Sequence, residues 1–598
     1  MRRINGVIVF VALGACCASL TDPAQAATPD LANSIDRKID NFTLPDYRGR
    51  PYALDDFADK SVVVVAFLGN ECPLCKQYAP RLEQLSKDFA ERGVCFLGIN
   101  ANQQDAPSEI AAYVRCCQVT FPVLKDAGNV VADQFAAVRV PEVFVLDKDR
   151  HIRYRGRIDD QFGLSTGSGY ARPKTRSRDL AVAIEEVLAG KKVTHSVTEA
   201  SGCLIGRTAK IEPHGDITFN NQISRLLQKH CVDCHRSGEV APFALLEYSE
   251  VVGWAPMMRE VIDQGRMPPW FANPEFGHFA NDSRMSAQEK ELFSKWVDNG
   301  CPEGDPKDLP PPPQYTTGWQ MGEPEHIIYM RDTPYTVPAE GVVEYQYFTV
   351  DPHFTEDKWI QAAEARPGNR SVVHHMIAFV LAPPRREKAG NDFRRGGGLV
   401  GYAPGERARI YPVGTAAFVP AGSKFVFQLH YTPNGREQQD RSYIGLKFAE
   451  PGTVKRRARG GAAVNRRFTI QPGVENQPVA AHYTFDKEVL LATLFPHMHL
   501  RGKSFRFVAR YPNGSTETLL DVPQFDFNWQ LRYEFSEPKL MPRGTVLECT
   551  AHFDNSEHNL ANPNSKVAVR WGDQAFDEMM IGFFSTLPVN DDVSTDDK

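Results

Sequence analysis

The stretch Ser61-Val62-Val63-Val64-Val65-Ala66-Phe67-Leu68, followed one turn later by Cys72-Pro73-Leu74-Cys75, decides how the N-terminal third of this chain folds. An unbroken apolar, β-branched run predicts a strand buried on both faces. Helical periodicity follows from Tyr78 to Arg92, then a second buried strand at Gly93-Val94-Cys95-Phe96-Leu97-Gly98-Ile99. Further on, Glu142-Val143-Phe144-Val145-Leu146-Asp147 turns at Lys148-Asp149 into His151-Ile152-Arg153-Tyr154-Arg155, which reads as a hairpin. The CxxC therefore falls between a strand and its helix. A cysteine at a helix N-terminus feels the positive end of the dipole, which favours its thiolate. Cys72 is expected to be the nucleophile and Cys75 the resolving thiol. The competing expectation is a structural disulfide on a binding module. Cys95 reads as a core residue, and the adjacent Cys116 and Cys117 as surface thiols.

This alternation is thioredoxin-like, and the segment from about Ile39 to Phe162 resembles the redoxin family. The resemblance implies a cis-proline facing the CxxC, and Val140-Pro141 matches it, which adds Pro141 to the site. The α/β domain is expected to occupy residues 27–200.

A chain of 598 residues is too long for one core, so several domains are expected. The formal charge of −6 gives no support for nucleic-acid binding, and basic runs such as Lys455-Arg456-Arg457 read as solvated loops or strand ends. Arg2-Arg3, the apolar Val7 to Ala15 and Ala24-Gln25-Ala26 form an export signal over residues 1–26. Leu13-Gly14-Ala15-Cys16 also resembles a lipoprotein box, which would leave Cys16 lipidated. Past residue 26 no apolar run is long enough to span a membrane. A periplasmic or secreted protein is expected, in a compartment that permits disulfides.

Residues 201–309 read as an all-α unit. Ile223 to His230 leads into Cys231-Val232-Asp233-Cys234-His235, and Ser286-Ala287-Gln288-Glu289 is a capping box for a helix that stops at Gly300. CxxCH in an exported chain signals covalent haem, with thioethers at Cys231 and Cys234 and His235 on one face of the iron. Met267, in a loop stiffened by Pro268-Pro269, is the candidate second ligand; Met285 is the alternative. The segment resembles a small class I cytochrome c, whose His/Met ligation implies a raised potential. A Cys203–Cys301 disulfide is one available pairing, and Pro310 to Pro313 marks a spacer over 310–324.

From about Glu325 the pattern becomes all-β, in runs such as Val342 to Val350, Ser371 to Leu381, Ser423 to Tyr431, Glu488 to Phe495 and Thr545 to Phe553. Two antiparallel, jelly-roll-like sandwiches are expected at 325–458 and 459–590, split where Arg, Gly and Ala displace the apolar alternation at 456–467, before an acidic tail at 591–598. These units carry His374-His375-Met376, His430 and His497-Met498-His499. Imidazoles at short spacing, with Met579 beyond, are a copper ligand inventory. On a strand His497 and His499 share a face while Met498 points away. His374 and His375 can meet one ion only at a bend or strand end, with different ring nitrogens coordinating.

The ordered set His-His-Met, Gln-Leu-His-Tyr, His-Met-His and Asp-Glu-Met resembles the copper type II, ascorbate-dependent monooxygenases, which include peptidylglycine α-hydroxylating and dopamine β-monooxygenases. That resemblance covers roughly the last 270 residues. It implies an electron-transfer copper on His374, His375 and His430, and an oxygen-activating copper on His497, His499 and Met579, with Met580 the neighbouring alternative. Relatives place a cysteine after that methionine, bonded to the equivalent of Cys549, whereas Met580 stands here. The expected activity is hydroxylation of a C–H bond in a small-molecule or peptide substrate, using O2, two copper ions and one haem c. The haem would pass on single electrons from an external donor, ascorbate or another cytochrome. The CxxC is a two-electron couple and fits thiol handling, copper loading or peroxide damage better than that wiring. Two alternatives stand beside this: a non-catalytic electron-transfer or copper-handling protein, and a thiol-disulfide oxidoreductase with accessory metal domains.

Overall fold

The computed structural model describes residues 34–593 apart from 166–167, 173, 209–210, 316–317, 340, 342, 384–397 and 404. The leader expected at 1–26, with Cys16, and the last five residues of the expected acidic tail lie outside the described residues. No described helix is long and apolar enough to cross a membrane.

After a short hairpin at 43–53, the N-terminal domain includes β1 (Val62–Phe67), α1 (Pro73–Ala90), β2 (Val94–Asn100), α2 (Pro107–Cys117) and β3 (Val123–Lys125). It continues through β4 (Arg139–Val140), β5 (Glu142–Leu146) and β6 (Ile152–Gly156), then the hairpin β7 (Phe162–Ser165) and β8 (Ser168–Ala171), and α3 (Asp179–Leu188). Its sheet runs β3-β2-β1-β5-β6, parallel among the first three strands and antiparallel at β5 and β6. All six residues of β1 are buried, as its continuous apolar run requires. Cys95 is half-buried in β2, where burial pushes its thiol up to about 12. Cys116 is exposed, but Cys117 is buried, which corrects the reading of both as surface thiols. It lies on the inner face of α2 with Tyr113 and Val114.

The helical segment does not form a free-standing all-α domain. It opens with β9 (Cys203–Leu204), which adds antiparallel to β4 and sets Cys203 opposite Val140. Then come α4 (Ser224–His230), α5 (Ala255–Asp263) and α6 (Ala287–Asp298), around a core that includes Phe219, Leu227, Trp254, Phe293 and Trp296. Ser286 caps α6: its hydroxyl accepts from Glu289 N, and the Glu289 carboxylate accepts from Ser286 N at 2.8 Å. Between α5 and α6 the chain leaves this core. Trp270, Ala272 and Phe279 are buried instead in the core of the second sandwich. Asn273 N donates to Asp521 O at 2.8 Å and Ala280 N to Glu534 O at 2.7 Å, which fixes this arm there.

The β region comprises β10 (His326–Tyr329), β11 (Gln346–Val350), β12 (Lys358–Arg366), β13 (Val373–Leu381), β14 (Val400–Tyr402), β15 (Thr415–Val419), β16 (Lys424–Tyr431) and β17 (Tyr443–Phe448). It goes on with β18 (Arg456–Val464), β19 (Gln477–Thr484), β20 (Val489–His497), β21 (Gly502–Arg510), β22 (Thr516–Val522), β23 (Tyr533–Met541), β24 (Val546–Phe553) and β25 (Ile581–Pro588). Two four-stranded sheets, β11-β16-β13-β14 and β19-β24-β21-β22, each pack on one half of a long sheet ordered β10-β17-β12-β15-β18-β25-β20-β23. The residues expected to mark a split, 456–467, contain strand β18. It pairs parallel with β15 of the first half and antiparallel with β25 of the second. The chain passes from one sandwich to the other without leaving the sheet.

Candidate redox centres

Cys72 is the N-cap of α1 and Pro73 its first residue, a position where a missing N–H costs nothing. Both thiols of the CxxC are fully buried. Cys72 Sγ lies 3.2 Å from the Val140 carbonyl oxygen, and Gly69 N donates to Cys75 Sγ at 3.3 Å. The Val140–Pro141 bond is cis. Cys203 Sγ is 3.1 Å from Cys72 Sγ, so three sulfurs converge here. Burial on its own would raise the Cys72 thiol, but hydrogen bonds from Cys203 and Cys75 outweigh it and hold the thiol well below its ordinary value. Cys75 goes the other way, pushed up by burial and by the Cys72 sulfur. The two thiols are thus shifted in opposite directions. Cys203 and Cys301 are not bonded to each other: both are free, and Cys301 is buried in the helical core.

Cys231 closes the C-terminus of α4, and Cys234 and His235 follow in the next turns. The Cys231 thiol is pushed up to about 12 by burial. His235 is held by its Nδ1, which donates to the Phe243 carbonyl at 3.2 Å, so Nε2 carries the free lone pair. Phe243 in turn stacks on Trp254 at 4.3 Å, which fixes that carbonyl. Metal-binding histidines are oriented in this way by backbone carbonyls. Cys231, Cys234, His235 and Met267 all line a central cavity of about 1540 Å³. Ordinary ligand pockets hold roughly 300–1,000 Å³. The thiol pair, the oriented His235 and the thioether on the same cavity wall therefore fit a covalent haem. Met257 and Met258 of α5 line the same cavity and are further thioether candidates; Met285 is buried in the helical core, away from that lining. Cys72 and His374 also line the cavity, so one chamber joins the thiol, CxxCH and histidine sites.

The histidine puzzle at 374–375 resolves through a β-bulge. The ladder pairs Val373 with Tyr431 and His375 with His430, and the register shifts between Val373 and His375. The extra residue, His374, is thereby turned to the same side as His375. Met376 and Leu429 point into the sandwich core, so the histidines look outward, toward the second sandwich. The ligand nitrogens of His374, His375 and His430 lie within 4.8 Å of one another. Different ring nitrogens are not needed, because the two Nδ1 atoms of the adjacent pair face each other at 3.0 Å. His374 Nε2 donates to Asn528 Oδ1 at 3.3 Å, and His430 Nδ1 is buried without a partner.

His497 ends β20 and His499 lies two residues on, with Met498 buried in the second core between them. The opposite nitrogens are presented here. His497 Nδ1 donates to Gln530 Oε1 at 2.6 Å and His499 Nδ1 to Asp577 O at 3.3 Å, while His499 Nε2 is buried and unpartnered. Met579 and Met580 are both buried, Met580 within the core that holds Cys549. A buried carboxylate pins the loop that carries Met579. Glu578 accepts from His499 N at 2.9 Å and from Arg501 N at 2.6 Å.

Burial drives all five imidazoles below their ordinary value, His497 to about 4, so they stand neutral with open lone pairs. Unpartnered buried nitrogens are costly unless something binds them. This donor set fits copper. Two side chains that the sequence does not single out tie the clusters together. The Phe527 ring lies 5.0 Å from that of His374 and 6.1 Å from that of His499. Tyr345 lies 4.9 Å from His430 and 6.1 Å from His499, and its hydroxyl is buried without a partner.

Comparison with known proteins reaches the N-terminal region. The signature of the AhpC/TSA family matches residues 35–155. Thiol-disulfide oxidoreductase ResA of Bacillus thuringiensis subsp. konkukian is 28% identical over 115 residues, 19% of this chain. This chain spans 65% of the length of that relative. Chloroplastic peroxiredoxin Q of Sedum lineare is 29% identical over 136 residues, 21% of this chain and 72% of that protein. A solved structure of a hypothetical protein from Sinorhizobium meliloti 1021 is 30% identical, with a TM-score of 0.27, covering 29% of this chain and 95% of that one. The N-terminal domain is a thioredoxin-like redoxin. Both cysteines of the CxxC, Cys72 and Cys75, fall inside the matched range, and oxidoreductase is the class the likeness supports.

Proposed function

We propose that this chain is an exported, multi-centre oxidoreductase whose sandwiches hold two coppers and hydroxylate a C–H bond of an organic substrate with O2. Its haem c would deliver electrons singly, from ascorbate or another cytochrome. The observation that carries this reading is the pair of histidine clusters, Nδ1-facing and Nε2-facing, lined up across Phe527 and Tyr345. His374, His375 and His430 would hold one copper, and His497, His499 and Met579 the other. Copper so bound supplies one-electron chemistry toward O2, and the thioether favours its reduced state. The protein's part is to orient the imidazoles through Asn528, Gln530 and Asp577 O, and to keep water from His375, His497 and His499 by burial. Cys231, Cys234, His235 and Met267 would hold the haem in the shared cavity.

Copper titration with O2-uptake measurements tests this. Two coppers per chain and substrate-dependent uptake, abolished in His497→Ala or Met579→Ala, are expected; copper binding without uptake overturns the hydroxylase. A second reading is favoured by the family match at 35–155: a thiol-disulfide oxidoreductase whose metal domains are accessory. It predicts thiol turnover lost in Cys72→Ser and indifferent to copper.

A further inference from the structure

Cys203 lies outside the CxxC, 131 residues from Cys72 in sequence, yet its sulfur is 3.1 Å from the Cys72 sulfur. Several features hold it there. Strand β9 pairs with β4, the strand that runs into Pro141, and Leu204 sits opposite Arg139. Gly202 has φ +149, and a Cβ there would meet Val140 O at 2.1 Å, so only glycine lets the backbone approach this closely. The Arg139 guanidinium donates to Gly202 O at 2.8 Å and pairs with Glu260 of α5 at 2.9 Å. Gly206 N donates to Asn102 Oδ1 at 2.9 Å and clamps the far end. An extended segment paired to an exposed strand edge, with one side chain aimed into the site, is how a peptide docks by strand addition. Here the docked segment belongs to the chain itself.

We infer that Cys203 is a third redox thiol of the redoxin site, which exchanges with Cys75 for Cys72 and stores the disulfide as Cys72–Cys203. The inference rests on the redoxin reading of the CxxC and not on the metal reading. The exchange starts from the Cys72–Cys75 disulfide that turnover leaves. The Cys203 thiolate attacks Cys72 Sγ, the Cys72–Cys75 bond breaks, and Cys75 departs as a thiolate that takes up the proton Cys203 released. No electrons are gained or lost. The product ties the redoxin covalently to the helical segment that carries CxxCH.

The test uses the full chain, reduced and then treated with oxidised glutathione, followed by alkylation and peptide mapping without reductant. In Cys75→Ser, glutathione caps Cys72, and Cys203 then displaces it. A stoichiometric Cys72–Cys203 peptide with two glutathiones released is expected. In Cys203→Ala, the Cys72–Cys75 disulfide should still form, more slowly because Cys72 loses one hydrogen-bond donor. The inference is overturned if Cys75→Ser retains glutathione on Cys72 while Cys203 is alkylated. Failure of Cys203→Ala to form Cys72–Cys75 would instead overturn the redoxin reading, and this inference with it. Should Cys75→Ser not fold, acid-quenched wild-type chain decides: a Cys72–Cys203 peptide supports the exchange, and its absence across the time course overturns it.

Discussion

The chain carries the same motif twice, and the two copies have opposite chemistry. Cys72-Pro73-Leu74-Cys75 opens a helix, at its positive end; Cys231-Val232-Asp233-Cys234 follows the end of one, at its negative end. Cys72 is held well below the ordinary thiol value by its sulfur neighbours, while burial drives Cys231 up to about 12. Spacing brings two sulfurs together. What they then do is set by the helix end and by the neighbours, here thiols on one side and apolar core on the other.

Thiol titration would break or sharpen this contrast most. In chain made without haem, iodoacetamide at pH 8 should modify Cys231 slowly, because at about 12 its thiolate fraction is roughly a thousandfold below that of an ordinary thiol. Modification of Cys231 at the rate of a free cysteine would remove the contrast. Next in size, Cys72→Ser should cut turnover of a disulfide substrate by about a hundredfold or more, while the double change Cys231→Ala and Cys234→Ala leaves it within about twofold. An insulin-reduction assay reads both.

The histidines extend the rule that surroundings, not spacing, assign the role. Glu578→Ala removes the acceptor of two buried N–H groups, at about 1–3 kcal/mol each, and frees the Met579 loop. Copper affinity at the second cluster should fall by about 10–100-fold, while the first is unchanged, as read by competition with a chelator. The smallest effect is expected from Cys203→Ala. With one donor to Cys72 lost, its titration midpoint moves up. Thiolate absorbance against pH follows this, and an unmoved midpoint would mean that Cys203 is a bystander.

The redoxin was legible because β1 is buried on both faces and says so in every residue. The histidine motifs were legible as ligand types, but not their geometry. The bulge at 373–375 changes which face a side chain takes, and side-chain parity cannot be counted through an unseen extra residue. Strand β18 was hidden for a different reason. Its Gly and Ala are weak strand formers, and they are there because Phe584 of β25 lies over Gly461, where a Cβ would meet the ring at 2.4 Å. Cys203 was invisible as a partner of Cys72, because only the pairing of β9 with β4 brings them together. Gln530 and Asn528 carry no motif at all; the fold alone makes them acceptors for His497 and His374.

Strand β18 has a mechanical consequence. It belongs to both sandwiches, parallel to β15 on one edge and antiparallel to β25 on the other. Prising the two histidine clusters apart would mean unzipping one of those ladders, so the span between them is built in like the length of a beam. While both ladders hold, the two halves cannot swing apart as separate bodies.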